Sequence, residues 1–170
     1  MEQSTDKEYT IRFARPEDLE AVTQVEAECF PAAEAAGRES FRARLAAFPE
    51  SFLVAERAED GRIIGFINGA VTDARTISDD MFEHADLHNP NGAYQSIFGL
   101  DVIGEFRCRG VAAALMNRMI ETARERGKKG LILTCKDRLI HYYQRFGYVN
   151  LGVSASVHGG AVWYDMLLEF

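Results

Sequence analysis

The stretch from Ser96 to Gly127 constrains this chain more than any other. Ile97 to Ile103 is an apolar run of strand length that turns polar at Gly104-Glu105, so a strand is predicted to end there. From Gly110 onward, Val111, Leu115, Met119 and Ala123 recur at every fourth position, and Ala112, Met116 and Ile120 widen the stripe. That spacing predicts an amphipathic helix, with Arg124 and Arg126 in its last turn and Gly127 as a left-handed cap. Between strand and helix lies Arg107-Cys108-Arg109-Gly110-Val111-Ala112. Amides at a helix start have no intrahelical partner and carry partial positive charge, so such a turn suits a phosphate. The competing reading is an ordinary strand-turn-helix whose glycine only permits tight packing. Neither a Walker G-x-x-x-x-G-K-[ST] loop nor a G-x-G-x-x-G dinucleotide fingerprint is present.

Around this unit the chain alternates short strands and helices. Tyr9 to Ala14 reads as a first strand, and Arg15-Pro16-Glu17-Asp18 opens a helix with Leu19, Val22 and Val25 on its apolar face, stopped at Pro31. A second helix is expected from Arg38 to Ala47, followed by a hairpin of Ser51–Arg57 and Arg62–Val71 around Glu59-Asp60-Gly61. The acidic segment from Thr72 to Asn91 is long for a plain connection and reads as a solvated loop, with a short helix or a mobile rim of the site as further readings. A metal site from Asp79, His84 and His88 lacks a convincing further ligand set. Leu131 to Cys135 is a buried strand entered by crossover, hence parallel to the central one. Asp137 is positioned to cap a helix from Arg138 to Phe146, and Tyr148–Ser154 and Ala161–Leu168 pair as a closing hairpin.

At 170 residues and 47% hydrophobic content, one domain spanning residues 1–170 is expected. The polar start, Met1 to Glu8, lacks the apolar segment of a signal peptide, and no apolar span reaches membrane length, so a cytoplasmic protein is expected. Cys29, Cys108 and Cys135 are an odd number at no metal-ligand spacing and fit free thiols in a reducing compartment. A net charge of −7 disfavours nucleic-acid or anionic-membrane partners and is compatible with a cationic substrate.

The turn at Arg107–Ala112 resembles the R/Q-x-x-G-x-G/A signature of the GNAT N-acetyltransferases, and Tyr143-Gln144-Arg145-Phe146-Gly147-Tyr148 resembles that family's Y-x-x-x-G-[FY] segment. Cys29-Phe30-Pro31, Phe48-Pro49-Glu50 and Ile64-Gly65-Phe66-Ile67 resemble the arylalkylamine (serotonin-type) branch. The resemblance covers nearly the whole chain. It implies a single-domain α/β (α+β) GNAT fold, a mixed six- or seven-stranded central sheet flanked by about four helices. It implies acetyl-CoA as cosubstrate, no metal, a small-molecule amine as acceptor, and a monomer or homodimer.

Site residues follow from the same resemblance. Leu100, Asp101 and Val102 offer main-chain groups to the pantetheine arm, while Arg107, Cys108, Arg109, Gly110, Val111, Ala112 and Ala113 hold the pyrophosphate. Tyr143 is the general acid for the leaving thiolate, since a phenol with a pKa of about 10 stays protonated near neutrality. Tyr143 and Lys136 are also cofactor-binding candidates, with Lys136 standing where many members have asparagine. Phe30, Pro31, Phe48 and Pro49 match acceptor-site segments, with hydrophobic core as the competing reading. The branch's two strand histidines are replaced by Ser96 and Phe98, so the base is missing. A water chain from Ser96 is one substitute. His158, in a glycine-rich loop, is the leading side-chain substitute, ahead of His88 and Glu28. A noncatalytic acyl-CoA sensor and a protein or peptide N-acetyltransferase are the alternative functions.

Overall fold

In a computed structural model, residues 8–170 are described; the polar start at residues 1–7, read above for the absence of a leader, lies outside the described residues. Among the described residues, nine strand segments form two sheets. The first has the order β1-β2-β3-β6, from Tyr9–Phe13, Phe52–Arg57, Ile63–Asn68 and Gly99–Val102, all neighbours antiparallel. The second has the order β4-β5-β7-β9-β8, from Val71–Thr72, Tyr94–Ile97, Gly130–Cys135, Tyr164–Glu169 and Val149–Val153. Its β5 and β7 run parallel, as the crossover requires, and β8 and β9 form the expected closing hairpin.

Five α-helices among the described residues accompany the sheets: α1 (Leu19–Cys29), α2 (Arg38–Ala47), α3 (Asp79–Glu83), α4 (Val111–Glu125) and α5 (Ile140–Gln144). The stripe read from sequence is the buried face of α4, where Val111, Leu115, Met116, Met119 and Ala123 are each at most 2% exposed. Each large side chain so buried contributes roughly 1.5–3 kcal/mol, which fixes α4 against the sheet. Two expected helices are divided at their starts, and the acidic segment takes one of its further readings, a short helix. Pro16–Asp18 and Asp137–Leu139 are 3₁₀ turns leading into α1 and α5, because proline and the tight first turn shape those starts, and Asp137 makes no side-chain cap bond. The acidic segment holds the short α3.

The central strand departs from expectation in a more consequential way. Ile97–Ile103 is not one strand: it breaks at Phe98, and β5 and β6 belong to different sheets. The neighbouring hairpin arm breaks likewise at Gly69-Ala70 into β3 and β4. Joining each broken pair recovers seven strands, so the expected sheet is present but split. Register explains the split. Asn68 pairs Gly99 and Val71 pairs Gln95, so three residue steps on one side face four on the other. The extra residue is a β-bulge, bridged by Phe98 N–H to the Asn68 carbonyl at 2.7 Å and Ser96 N–H to the Ala70 carbonyl at 2.9 Å.

Gly69 permits that crossover, since a β-carbon there would lie 1.9 Å from the Ser96 carbonyl oxygen. Gly69→Ala should therefore lower the unfolding free energy by about 2 kcal/mol or more. Chemical denaturation measures it, and an unchanged midpoint would show that the bulge does not depend on this approach.

Candidate active site

Past the bulge, β6 has no partner on its outer side, and β7 extends beyond β5, so the sheets part into a wedge. A cavity of about 530 Å³ fills it, at the carboxyl ends of the two parallel strands. One wall is Gly99 and Leu100 of β6; the opposite wall is Leu133 to Lys136 of β7 and the segment after it, with Tyr143 of α5. The end of α1 and the loop after it contribute Glu26, Cys29, Phe30, Pro31 and Glu34. Phe82, Phe98, His158 and Trp163 add an aromatic side.

A group of linked side chains covers one end of the cavity. Lys136 Nζ pairs with Glu34 Oε2 at 2.7 Å, and His158 Nε2 donates to the Glu34 carbonyl oxygen at 2.8 Å. The His158 ring stacks on Phe82 with centroids 5.0 Å apart, and Trp163 Nε1 donates to the His158 carbonyl at 2.8 Å. Asp79, from α3, accepts from the Ser156 hydroxyl and, at 3.1 Å, from the Val157 amide, so the acidic segment serves as a fastener for this loop. Because its Nε2 proton goes to a carbonyl, neutral His158 keeps its lone pair on Nδ1.

Tyr143 faces the cavity with a hydroxyl that has no hydrogen-bond partner among the described residues. Burial, then the nearby Cys135, Tyr142 and Asp101, push its phenol above the usual value, so it remains a proton donor. Burial pushes the Cys135 thiol up to about 11, which keeps it an inert wall residue.

At the other end of β6 the helix start has the form read from sequence. Gly110 is left-handed at φ 83°, and Cys108 is also left-handed at φ 64°. Amides from Cys108 to Ala113 have no partner among the described residues; the first bonded one is Ala114, to the Gly110 carbonyl. Such a curl of free amides has the geometry and partial charge that suit an anion. Both arginines are exposed: Arg107 Nε donates to the Val102 carbonyl at 2.9 Å, and Arg109 pairs with Glu8 at 3.1 Å.

Several expected residues lie elsewhere. Phe48 is fully buried and packs on His88 and Phe98, and neither it nor Pro49 lines the cavity. The Ser96 hydroxyl is buried and donates to the Ala70 carbonyl at 2.6 Å, so it begins no water chain into the wedge. His88 accepts from the Val71 amide at 2.9 Å and bonds Glu50 at 3.0 Å, holding β4 in place outside the cavity. Glu28 is exposed. No group of three His, Cys, Asp or Glu side chains among the described residues is arranged around a metal ion.

The feature that sequence reading missed is a buried acidic pair. Glu26 of α1 and Asp101 of β6 are 7% and 1% exposed, and Asp101 is held well above the usual carboxylate range by burial and then by Glu26. Buried Arg44 sits nearby, its Nη atoms on Asn68 Oδ1 and the Phe82 carbonyl, both at 3.1 Å; burial pulls its guanidinium down to about 10. The one available signal was a carboxylate two residues from Glu28 on the same helix, and only the fold shows which of them turns inward.

The sequence profile of the Acetyltransferase (GNAT) family matches residues 19–148. Serotonin N-acetyltransferase of Mesocricetus auratus is 27% identical over 109 residues, which is 64% of this chain and 51% of that protein, so the chain spans about half the relative's length. Among solved structures, the GNAT-like decarboxylase GphF in complex with isobutyryl-CoA superposes with a TM-score of 0.77 at 23% identity, covering 94% of this chain and 98% of that one. The putative acetyltransferase yncA from Salmonella typhimurium, with acetyl-CoA, gives 0.68 at 19% identity, covering 96% and 94%. No described helix is long and apolar enough to cross a membrane.

The raised Asp101 value has a consequence for stability. The native state keeps a proton that the unfolded chain releases near pH 4, so this group's contribution is lost as pH rises from there toward the raised native value. Asp101→Asn, which mimics the protonated form, should show a smaller fall in melting temperature than the parent between pH 5 and pH 8. Parallel pH curves for the two proteins would contradict the assignment of a neutral Asp101. With the wedge, its cavity and the matching profile, the chain belongs to the GNAT acetyltransferase family.

Proposed function

We propose that this protein transfers the acetyl group of acetyl-CoA to a primary amine on a small aryl or alkyl molecule, by direct attack within a ternary complex. The observation that carries this reading is the unpaired edge of β6, which runs from the free amides of the helix start to the cavity holding Tyr143. The amides of Cys108 to Ala113 hold the pyrophosphate, and main-chain groups of Leu100 to Val102 receive the pantetheine arm as an added strand would be received. Such contacts place the thioester beside the acceptor, and proximity of this kind supplies much of the rate enhancement.

Tyr143 donates its proton to the thiolate as the carbon–sulfur bond breaks. Its field of low polarity favours this direction, since the phenolate is disfavoured until the thiolate develops. The acceptor must lose a proton before attack, and two groups in the wall are suited to take it: His158 through Nδ1, and Glu26. The roof formed by Glu34, Lys136 and His158 encloses the acceptor side, which supports a small molecule over a protein terminus. Localisation in the cytoplasm is consistent with free thiols at Cys29, Cys108 and Cys135.

Thiol release from acetyl-CoA across arylalkylamines, polyamines, amino acids and short peptides tests the reading, with turnover expected on the first class. Tyr143→Phe should lower kcat by about 10²-fold or more with acetyl-CoA affinity unchanged; equal turnover would remove Tyr143 from the acid role. Gly110→Val forces a β-branched residue into the left-handed region and should weaken acetyl-CoA binding, as measured by calorimetry. Unchanged affinity in that variant would contradict the phosphate cradle.

A further inference from the structure

Three polar atoms without a hydrogen-bond partner gather over one glycine of the cavity wall. A β-carbon at Gly99 would lie 3.1 Å from Asp101 Oδ1, 3.6 Å from Glu26 Oε1 and 3.6 Å from Asn68 Nδ2. All three atoms are buried and without a partner among the described residues when both carboxyls are read as acceptors; a proton on Asp101 joins it to Glu26, and the Asn68 amide and the remaining lone pair of Glu26 stay open. Buried polar groups are almost always satisfied, and leaving one unmade costs about 1–3 kcal/mol, so such a convergence marks a place for a ligand atom. Glu26 and Gly99 both line the cavity, and the missing side chain leaves the carboxyl reachable from it.

We propose that Glu26 receives the acceptor's amino group as an ammonium ion and takes its proton. The inference rests on the amine acetyltransferase reading above. Glu26 has one oxygen committed, Oε2 accepting from the Ala36 amide at 2.9 Å, and the other open. It forms no ion pair within 4.0 Å among the described residues, whereas Glu34, the other buried carboxylate of the wall, is neutralised by Lys136. Around Glu26 stand Asp101 of β6, Cys29 one turn along α1, and Arg44 of α2. Arg44 adds positive field near Glu26 but forms no ion pair with it, its Nη1 and Nη2 bonding Asn68 Oδ1 and the Phe82 carbonyl, so the cation directly on Glu26 is left for the substrate. Beside it, the neutral Asp101 carboxyl can donate to the Glu26 carboxylate and orient it.

Protons and electrons balance along this route. The ammonium gives one proton to Glu26, which leaves a neutral amine; its lone pair forms the new carbon–nitrogen bond at the acetyl carbonyl. The carbon–sulfur bond then breaks, and its electron pair stays on sulfur, which takes the Tyr143 proton. The second amine proton restores Tyr143, and Glu26 returns its proton to solvent.

The test compares acetyl-CoA turnover of wild type, Glu26→Gln and His158→Gln on two acceptors of similar shape. 2-Phenylethylamine, with a pKa of about 10, is protonated at pH 7; O-benzylhydroxylamine is already neutral there. Glu26→Gln should lose about 100-fold or more on the first and only a few-fold on the second, with acetyl-CoA affinity by calorimetry unchanged, and His158→Gln should show no such difference between acceptors. As a second variant, Gly99→Ala, which covers Glu26 without altering any charge, should raise the KM for 2-phenylethylamine about tenfold while sparing acetyl-CoA affinity. An equal loss on both acceptors, no loss, or the acceptor-dependent loss appearing in His158→Gln instead would overturn the inference and leave the transferase reading standing. Wild type that binds acetyl-CoA and turns over neither amine would contradict that reading and the inference with it.

Discussion

The site depends on one extra residue in the pairing between two arms of the sheet. Three residue steps from Asn68 to Val71 face four from Gly99 to Gln95, and the strands on either side cannot continue in one plane. The result is that β6 leaves the sheet that β5 enters, so a strand edge in the middle of a domain stays unpaired. An open edge inside a protein is costly unless something satisfies it. In this fold the helix start after β6 adds a run of free amides to the same line, and the proposed function assigns both to one extended, anionic ligand.

Around the wedge, the core is arranged to keep it open. Phe41, Phe52 and Phe66 fill the space under α1 and α2, and Phe48, Phe98 and Phe82 form a second chain of ring contacts leading to His158. Arg44 passes between them, over the faces of Phe41 and Phe98, and its guanidinium is carried into the interior on aromatic faces as well as hydrogen bonds. A buried arginine beside two buried carboxyls does not favour stability, since desolvating such groups costs several kcal/mol per ion. Their presence at the cavity floor, with unpartnered atoms, is the pattern of an arrangement kept for binding or chemistry.

Much of this was legible in the sequence, and the reasons for the remainder are physical. Helix α4 and its cap follow from spacing alone, because an amphipathic stripe has one way to be buried. The break at Phe98 is invisible to hydropathy, since Ile97 to Ile103 is apolar on both sides of it; Gly99 within the run, and Gly69 opposite, were the local signs of a bulge. Phe48 and Pro49 are expected at the acceptor site from the family resemblance alone, yet Phe48 is drawn into the core by Phe98 and His88. His158 does reach the cavity, because Glu34, Phe82 and Asp79 hold its loop. Glu26 could not be picked out, as its meaning comes from Asp101, far along the chain and on another element.

The central claim is that one ligand lies along β6 from the helix start to the cavity. Amide chemical-shift mapping by NMR during titration with coenzyme A tests it most directly, because every backbone group in question is an amide. The account predicts the largest shifts at Cys108 to Ala113 and at Leu100 to Val102, with smaller ones at Tyr143. Shifts concentrated away from β6 and the start of α4, or none at saturating coenzyme, would contradict it.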